Sequence, residues 1–263
     1  MSSAAAVGTL IVAHGSHTSE WPALVRRSVP LGQIPGPAAL AFLEEVPEQD
    51  IPRGVAALEA AGADAIVAIP LFISSASIDV DEVRYVLGVG PAPPKAELAS
   101  VPVSTRCPIH CRPALDRSPI LGQILTERAL ALSERPAEEC VVLIGHGQAR
   151  PAKRRAWEAN LRALSRMVQS RGGFRSVEYA LLNPDTVRET VAARLEAGPV
   201  IVVPVMLAAG YFTAQVRRRL ARLPCRYSGE PILPHPAILR WVLHERTLGI
   251  AALRGVPAAA RDP

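Results

Sequence analysis

The chain is 263 residues long, 49% hydrophobic and only 4% aromatic, which allows a sizeable aliphatic core in about two domains but few platforms for stacking nucleic-acid bases. Its net charge of +5 comes almost wholly from arginine, since Lys95 and Lys153 are the only lysines, and guanidinium forks favour a small anionic ligand over a neutral one. No apolar run reaches the ~18–20 residues of a membrane span; Met1 to Ala13 lacks the basic start of a signal peptide, and four cysteines without one point to a reducing, cytoplasmic setting.

In chain order, Gly8 to Ala13 is an apolar, partly β-branched run that stops at His14-Gly15-Ser16, the pattern of a buried parallel strand with a polar carboxyl end. Trp21 to Ser28 starts a helix in a region broken by Pro22, Pro30, Pro35 and Pro37, and Ala38 to Glu44 reads as a second strand. Ile51, Val55 and Leu58 recur at helical spacing as far as Ala61-Gly62-Ala63. Ala65 to Pro70 is the clearest strand of this half. A turn rich in hydroxyls, Leu71 to Ser77, follows it, then a short helix through Val83, Val86 and Leu87. Gly88 to Cys107 is proline-rich and predicts an irregular insertion with one short strand near Ala99 to Ser104. A helix from Pro119 to Leu132 closes the half, and Ser133 to Glu139 is the linker.

The second half repeats this order. Cys140 to Gly145 runs into His146-Gly147-Gln148. Trp157, Leu161, Leu164 and Val168 define a helix ended by Gly172-Gly173, and Ser176 to Leu182 is a strand. Asn183-Pro184-Asp185 reads as a helix start, a capping side chain followed by proline at the first helical position. That helix carries Val187, Val191 and Leu195. Val200 to Pro204 then matches the earlier strand that ends on Pro70. Phe212, Val216 and Leu220 are expected to face inward on a helix whose other side carries Arg217, Arg218, Arg219 and Arg222. Pro231 to Pro236 leads into a last helix, with a frayed tail after about Gly249. His14 and His146, Pro70 and Pro204, and Phe42-Leu43 and Leu181-Leu182 hold corresponding places, so the expectation is a duplicated βαβ lobe, residues 1–134 and 135–263.

Both imidazoles then fall at carboxyl ends of first strands, and if the lobes face each other both look into one cleft, where either could exchange protons. The competing reading is that each caps a neighbouring helix. His17 is a second candidate ligand or a solvated loop residue. The Ser74-Ser75-Ala76-Ser77 turn could hold an anion on helix-start amides or cap the helix. Asp79, Asp81 and Glu82 could be acid–base groups or could complement the helix dipole. Cys107, His110 and Cys111 are only half a metal site. The clusters at Arg150, Lys153, Arg154 and Arg155 and at residues 217–222 could meet an acidic ligand or be solvated faces. No phosphate-binding glycine loop is present, so nucleotide use has no support.

The opening His-Gly-Ser, the Pro70-Leu71-Phe72-Ile73-Ser74-Ser75 turn, Asn183-Pro184-Asp185 and Pro234-His235-Pro236 together resemble the class II chelatases of the CbiX/SirB type, over about residues 7–245 and in a two-lobed form. These lyases insert Co²⁺ or Fe²⁺ into sirohydrochlorin on the way to cobalamin or sirohaem. The resemblance implies an α/β protein of two similar flavodoxin-like lobes, each a parallel sheet flanked by helices, with a macrocycle cleft between them. It implies a divalent metal, Co²⁺, Fe²⁺ or Ni²⁺, as substrate or cofactor, a tetrapyrrole as the small anionic partner, and leaves homo-oligomerisation open. His14 takes the place of the first metal-binding histidine and accepts pyrrole protons, so activity should fall as it protonates. Ser16, Ser74, Ser75, Ser77 and Tyr211 would meet the substrate, and arginines its carboxylates. The second histidine that family members carry after the Pro-Leu-Phe turn is replaced here by Ser77-Ile78-Asp79 and by Tyr211-Phe212-Thr213. His146, with Glu44 or Tyr211, is the expected substitute. The same fold could instead serve acid–base chemistry on another small anion, or bind metal or tetrapyrrole without catalysis.

Overall fold

The computed structural model describes residues 6–16, 19–91 and 101–255. The α/β expectation holds: two four-stranded, wholly parallel sheets are each flanked by helices. The first is built from β1 (Val7–Ala13), β2 (Ala38–Phe42), β3 (Ala65–Leu71) and β4 (Ile109–Cys111) in the order β2-β1-β3-β4. The second repeats it with β5 (Cys140–Gly147), β6 (Ser176–Asn183), β7 (Val200–Pro204) and β8 (Arg226–Tyr227) in the order β6-β5-β7-β8. This is the flavodoxin-like order, in which the chain leaves the first strand in one direction and resumes on its other side. The carboxyl ends of β1 and β3, and of β5 and β7, therefore flank a switch point, where open sheets hold ligands.

The strands are buried on both faces because helices cover both. In the first sheet Leu10, Val12, Ile66 and Ala68 pack with Ile51, Val55 and Leu58 of α2 (Ile51–Ala60) and Val80, Val83 and Val86 of α3 (Ile78–Val86). Alternation sends Thr9 and Val67 to the opposite face. There they meet α8 (Ala237–Leu253): Arg246 Nε donates to Thr9 Oγ1 at 3.0 Å, and Gly249 lies flat on Val67, where a Cβ would come within 2.4 Å of a methyl. Arg112 and Glu245 close this layer with a 2.8 Å ion pair. In the second sheet Val142, Ile144 and Val202 pack with Val187 and Val191 of α6 (Val187–Leu195) and Val216 of α7 (Tyr211–Arg219).

The compact units do not follow the expected 134/135 boundary. One comprises Met1–Ala114 with Pro236–Pro263, the other Leu115–His235. The helix that ends each half by sequence belongs to the other half's sheet. α4 (Pro119–Leu130) packs on α5 (Pro151–Gly172), with Gly122 admitting the Met167 side chain, while α8 covers β3 and β4. Arg128, bonded to Glu230 at 2.6 Å and to the Pro231 carbonyl at 3.2 Å, and Glu127, 2.8 Å from His235, hold α4 in its unit.

Several local expectations are corrected. Asn183-Pro184-Asp185 does not open a helix: Asn183 ends β6, and α6 begins at Val187. Thr186 instead ties this turn back to the strand, its amide donating to the Leu181 carbonyl and its Oγ1 accepting from the Leu181 amide. Residues 101–104 form no strand, and 99 and 100 lie outside the described residues; the fourth strand is β4, too short to show alternation. α8 continues past Gly249 to Leu253, because Gly249 and the buried Ala251 still pack. Phe212 does not face inward: it is 43% exposed. No described helix is long and apolar enough to cross a membrane.

Candidate functional site

At the end of β1 the chain makes an abrupt turn dictated by Gly15. A side chain there would fall 1.5 Å from the Glu44 carbonyl oxygen, so only glycine lets β1 and the segment after β2 close up. That approach brings the Glu44 carboxylate to His14, with Oε1 3.2 Å from Nε2 and both side chains about half exposed. The other ring nitrogen, Nδ1, lies 2.7 Å from the Gly15 carbonyl oxygen. A carbonyl only accepts, so Nδ1 carries a hydrogen, and Nε2 faces the carboxylate, donating to it when the ring is protonated and standing beside it as a second acceptor when it is not. In the neutral ring these two acceptors can share a proton or a cation between them. The loop is fixed by Trp21, whose indole N–H donates to the His14 carbonyl at 2.5 Å, and the ring rests 6.5 Å from Phe72 at the end of β3.

The second sheet reproduces the backbone of this site but not its chemistry. Gly147, at φ 76°, meets the Asn183 carbonyl as Gly15 meets that of Glu44, with a Cβ at 2.1 Å, and His146 Nδ1 sits 2.9 Å from the Gly147 carbonyl. Strand register makes Asn183 the counterpart of Glu44, so the carboxylate is replaced by an amide residue. His146 has aromatic neighbours instead, Phe212 at 4.4 Å edge-on and Trp157 at 6.4 Å.

The serines that follow β3 are engaged by backbone and side-chain groups of the first unit. Ser74 Oγ accepts from the Ala76 amide, Ser75 Oγ from the Ala114 amide, and Ser77 caps α3 while donating to Asp79 Oδ2 at 2.6 Å. Ser16 is half-buried beside His14, and Tyr211, 69% exposed, opens α7. His17 lies outside the described residues. Among those described, no group of three or more His, Cys, Asp or Glu could hold a metal.

Cys107 and Cys111 pack into the first core, and burial pushes both thiols up, away from the thiolate a metal needs. His110 alternates to the other face; burial, then the Arg112 charge, lowers its pKa, and its Nε2 has no partner. The arginines of α7 are largely committed to structure: Arg217 stacks over Tyr227, and Arg219 pairs with Asp185 at 2.6 Å. What sequence reading missed is the aromatic surround of His146. The one available signal was that Phe212 lies in the first turn of a helix, where a side chain can point to the strand end rather than to the core.

A family model described as CbiX matches residues 8–132 and 140–247. Among solved structures, SirB from Bacillus subtilis with Fe3+ superposes with a TM-score of 0.74 at 20% identity, covering 95% of this chain and 98% of that one. DR2241 from Deinococcus radiodurans, a multi-domain protein with structural similarity to chelatases and two additional novel domains, gives 0.64 at 22% identity, covering 91% of this chain and 54% of that one. A search of curated proteins finds no match.

Proposed function

The chain belongs to the CbiX family of class II chelatases, and on that premise we propose that it inserts a divalent metal, Co²⁺ or Fe²⁺, into a sirohydrochlorin-type tetrapyrrole, using His14 and Glu44. The observation that carries this reading is the 3.2 Å approach of His14 Nε2 to Glu44 Oε1, with Nδ1 already committed to a carbonyl. Metal insertion takes a M²⁺ ion and a macrocycle with two pyrrole N–H groups, and gives the metallated ring and two protons. An imidazole lone pair and a carboxylate side by side can first draw the incoming cation and then accept those protons. Two donors hold a cation loosely, which suits a metal that must be passed on rather than kept. Ser16, half-buried beside His14, contacts the same substrate. Localisation in the cytoplasm follows from the same biosynthetic role.

Incubating the protein with sirohydrochlorin and Co²⁺ or Fe²⁺ while following the macrocycle absorbance tests this directly. Turnover that His14→Ala and Glu44→Gln each lower by about 100-fold is expected. Tight binding with no turnover would replace the enzyme by a carrier of metal or tetrapyrrole. No spectral response at all would redirect the site to acid–base chemistry on another small anion.

A further inference from the structure

At the free edge of the second sheet, we infer that α5 and β6 form a binding site for a phosphoryl group, either free phosphate or the head of a small phosphate ester. A cavity of about 240 Å³ opens there, lined from α5 by Arg162, Ser165, Arg166 and Gln169 and from β6 by Val177 and Tyr179. That is roughly eight water volumes, room for a phosphoryl group carrying a few more heavy atoms. β6 ends the order β6-β5-β7-β8, so no further strand of this sheet closes the cavity.

The four α5 residues stand at i, i+3, i+4 and i+7, one stripe of the helix. Every one of them carries a hydrogen-bond donor, and two are cationic. Alternation along β6 turns Val177 and Tyr179 toward this stripe. Glu178, which also borders the cavity, sends its carboxylate to α6, where Arg194 holds it at 2.9 Å. Arg162 lies over the Tyr179 ring, 5.6 Å from its centroid, with a long 3.4 Å contact to Glu158. Arg166 has no ion-pair or hydrogen-bond partner among the described residues. Gln169 Nε2 donates to the Arg175 carbonyl at 3.3 Å and keeps a second hydrogen.

Ser165 is the observation that points to a ligand. It is 6% exposed, and its Oγ has no hydrogen-bond partner. Three other helix hydroxyls, those of Ser28, Thr126 and Thr247, donate to the carbonyl four residues back at 2.7–3.0 Å. Ser165 does not take that bond, and a buried hydroxyl left unpaired is unfavourable until an acceptor arrives. Two guanidinium groups beside it select an anion. A carboxylate has two oxygens, which one guanidinium fork satisfies. A phosphoryl group has three acceptor oxygens and close to two charges, which suits two arginines, a hydroxyl and an amide.

This cavity is separate from the His-Gly turn. Trp157, whose ring neighbours His146, precedes Ser165 by eight residues of α5, about 12 Å along the axis.

Calorimetric titration of the full chain with inorganic phosphate and with glycerol 3-phosphate, at fixed ionic strength, tests the site. Saturable binding of one equivalent is expected, and succinate should fail to compete. Ser165→Ala should weaken binding about 10-fold, and Arg166→Gln by about the same factor. Without ligand, Ser165→Ala should melt no lower than the parent, because it removes only an unpaired hydroxyl. Arg135→Gln, at an exposed arginine paired with Glu138, should change nothing. Tighter binding of the ester supports the inference and makes an ester the source; equal affinities support it with free phosphate as the source. No saturable binding, indifference to both Ser165→Ala and Arg166→Gln, an equal loss in Arg135→Gln, or displacement by succinate overturns it.

Discussion

The Cα of Gly15 lies against the Glu44 carbonyl so closely that a methyl group would sit 1.5 Å from the oxygen, and this contact is what brings the Glu44 carboxylate to His14. Gly15→Ala must therefore displace Glu44 by more than 1 Å, a misplacement on the order of 100-fold in rate, at a stability cost of about 2–4 kcal/mol. Glu44→Gln keeps the backbone and removes only the charge. Comparable rate losses in both, with a lowered Tm only in Gly15→Ala, are expected from initial-rate and melting measurements.

Glu139 should govern the acid limb of stability. Burial alone would raise its pKa, but hydrogen bonds from Ser133, the amides of Glu134 and Arg135, and Arg226 outweigh it and hold the carboxyl at about 2, against an ordinary 4.5. A folded value below the unfolded one gives stability that is complete above pH 4.5 and is lost as pH falls toward 2. The amount is about 3 kcal/mol. Urea titrations between pH 6 and pH 2 should show this loss, and Glu139→Gln should flatten it.

The Arg112–Glu245 pair, with side chains only 17% and 11% exposed, ties α8 to the first sheet. Removing one partner strands a buried charge, so Arg112→Ala should cost about 3–5 kcal/mol. Replacing both by Met and Leu should restore most of it. Thermal melts of the two single variants and the double variant separate a lost attraction from an unpaired charge.

A fragment cut at the sequence midpoint should not fold, whereas residues 115–235 should. Residues 1–134 lack α8, whose Ile238, Trp241 and Val242 are fully or almost fully buried. Each such side chain contributes about 1.5–3 kcal/mol, together a large part of the ~5–15 kcal/mol that holds a typical domain. Circular dichroism with cooperative urea unfolding of both fragments checks this. A cooperative transition in 1–134 would show that α8 is dispensable.

Much of the fold was legible. Apolar runs with β-branched residues gave β1, β3, β5 and β7 to within two residues, because strands buried on both faces leave no polar interruptions. The marginal strands β4 and β8 were not found, since three and two residues carry no readable period. Asn183-Pro184-Asp185 misled because a cap-then-proline signature describes a local preference, and Thr186 pulls this segment back to Leu181 instead.

By itself the sequence determined that two similar parallel sheets would each end in a His-Gly turn, because buried strands and tight turns write themselves into local residue patterns. Tertiary structure alone decided which helix covers which sheet, that Glu44 rather than any residue near it in sequence meets His14, and that Phe212 faces water beside His146. Those outcomes depend on which distant surfaces bury one another, and a side chain's neighbours across 30 or 100 positions leave no period in the chain that carries them.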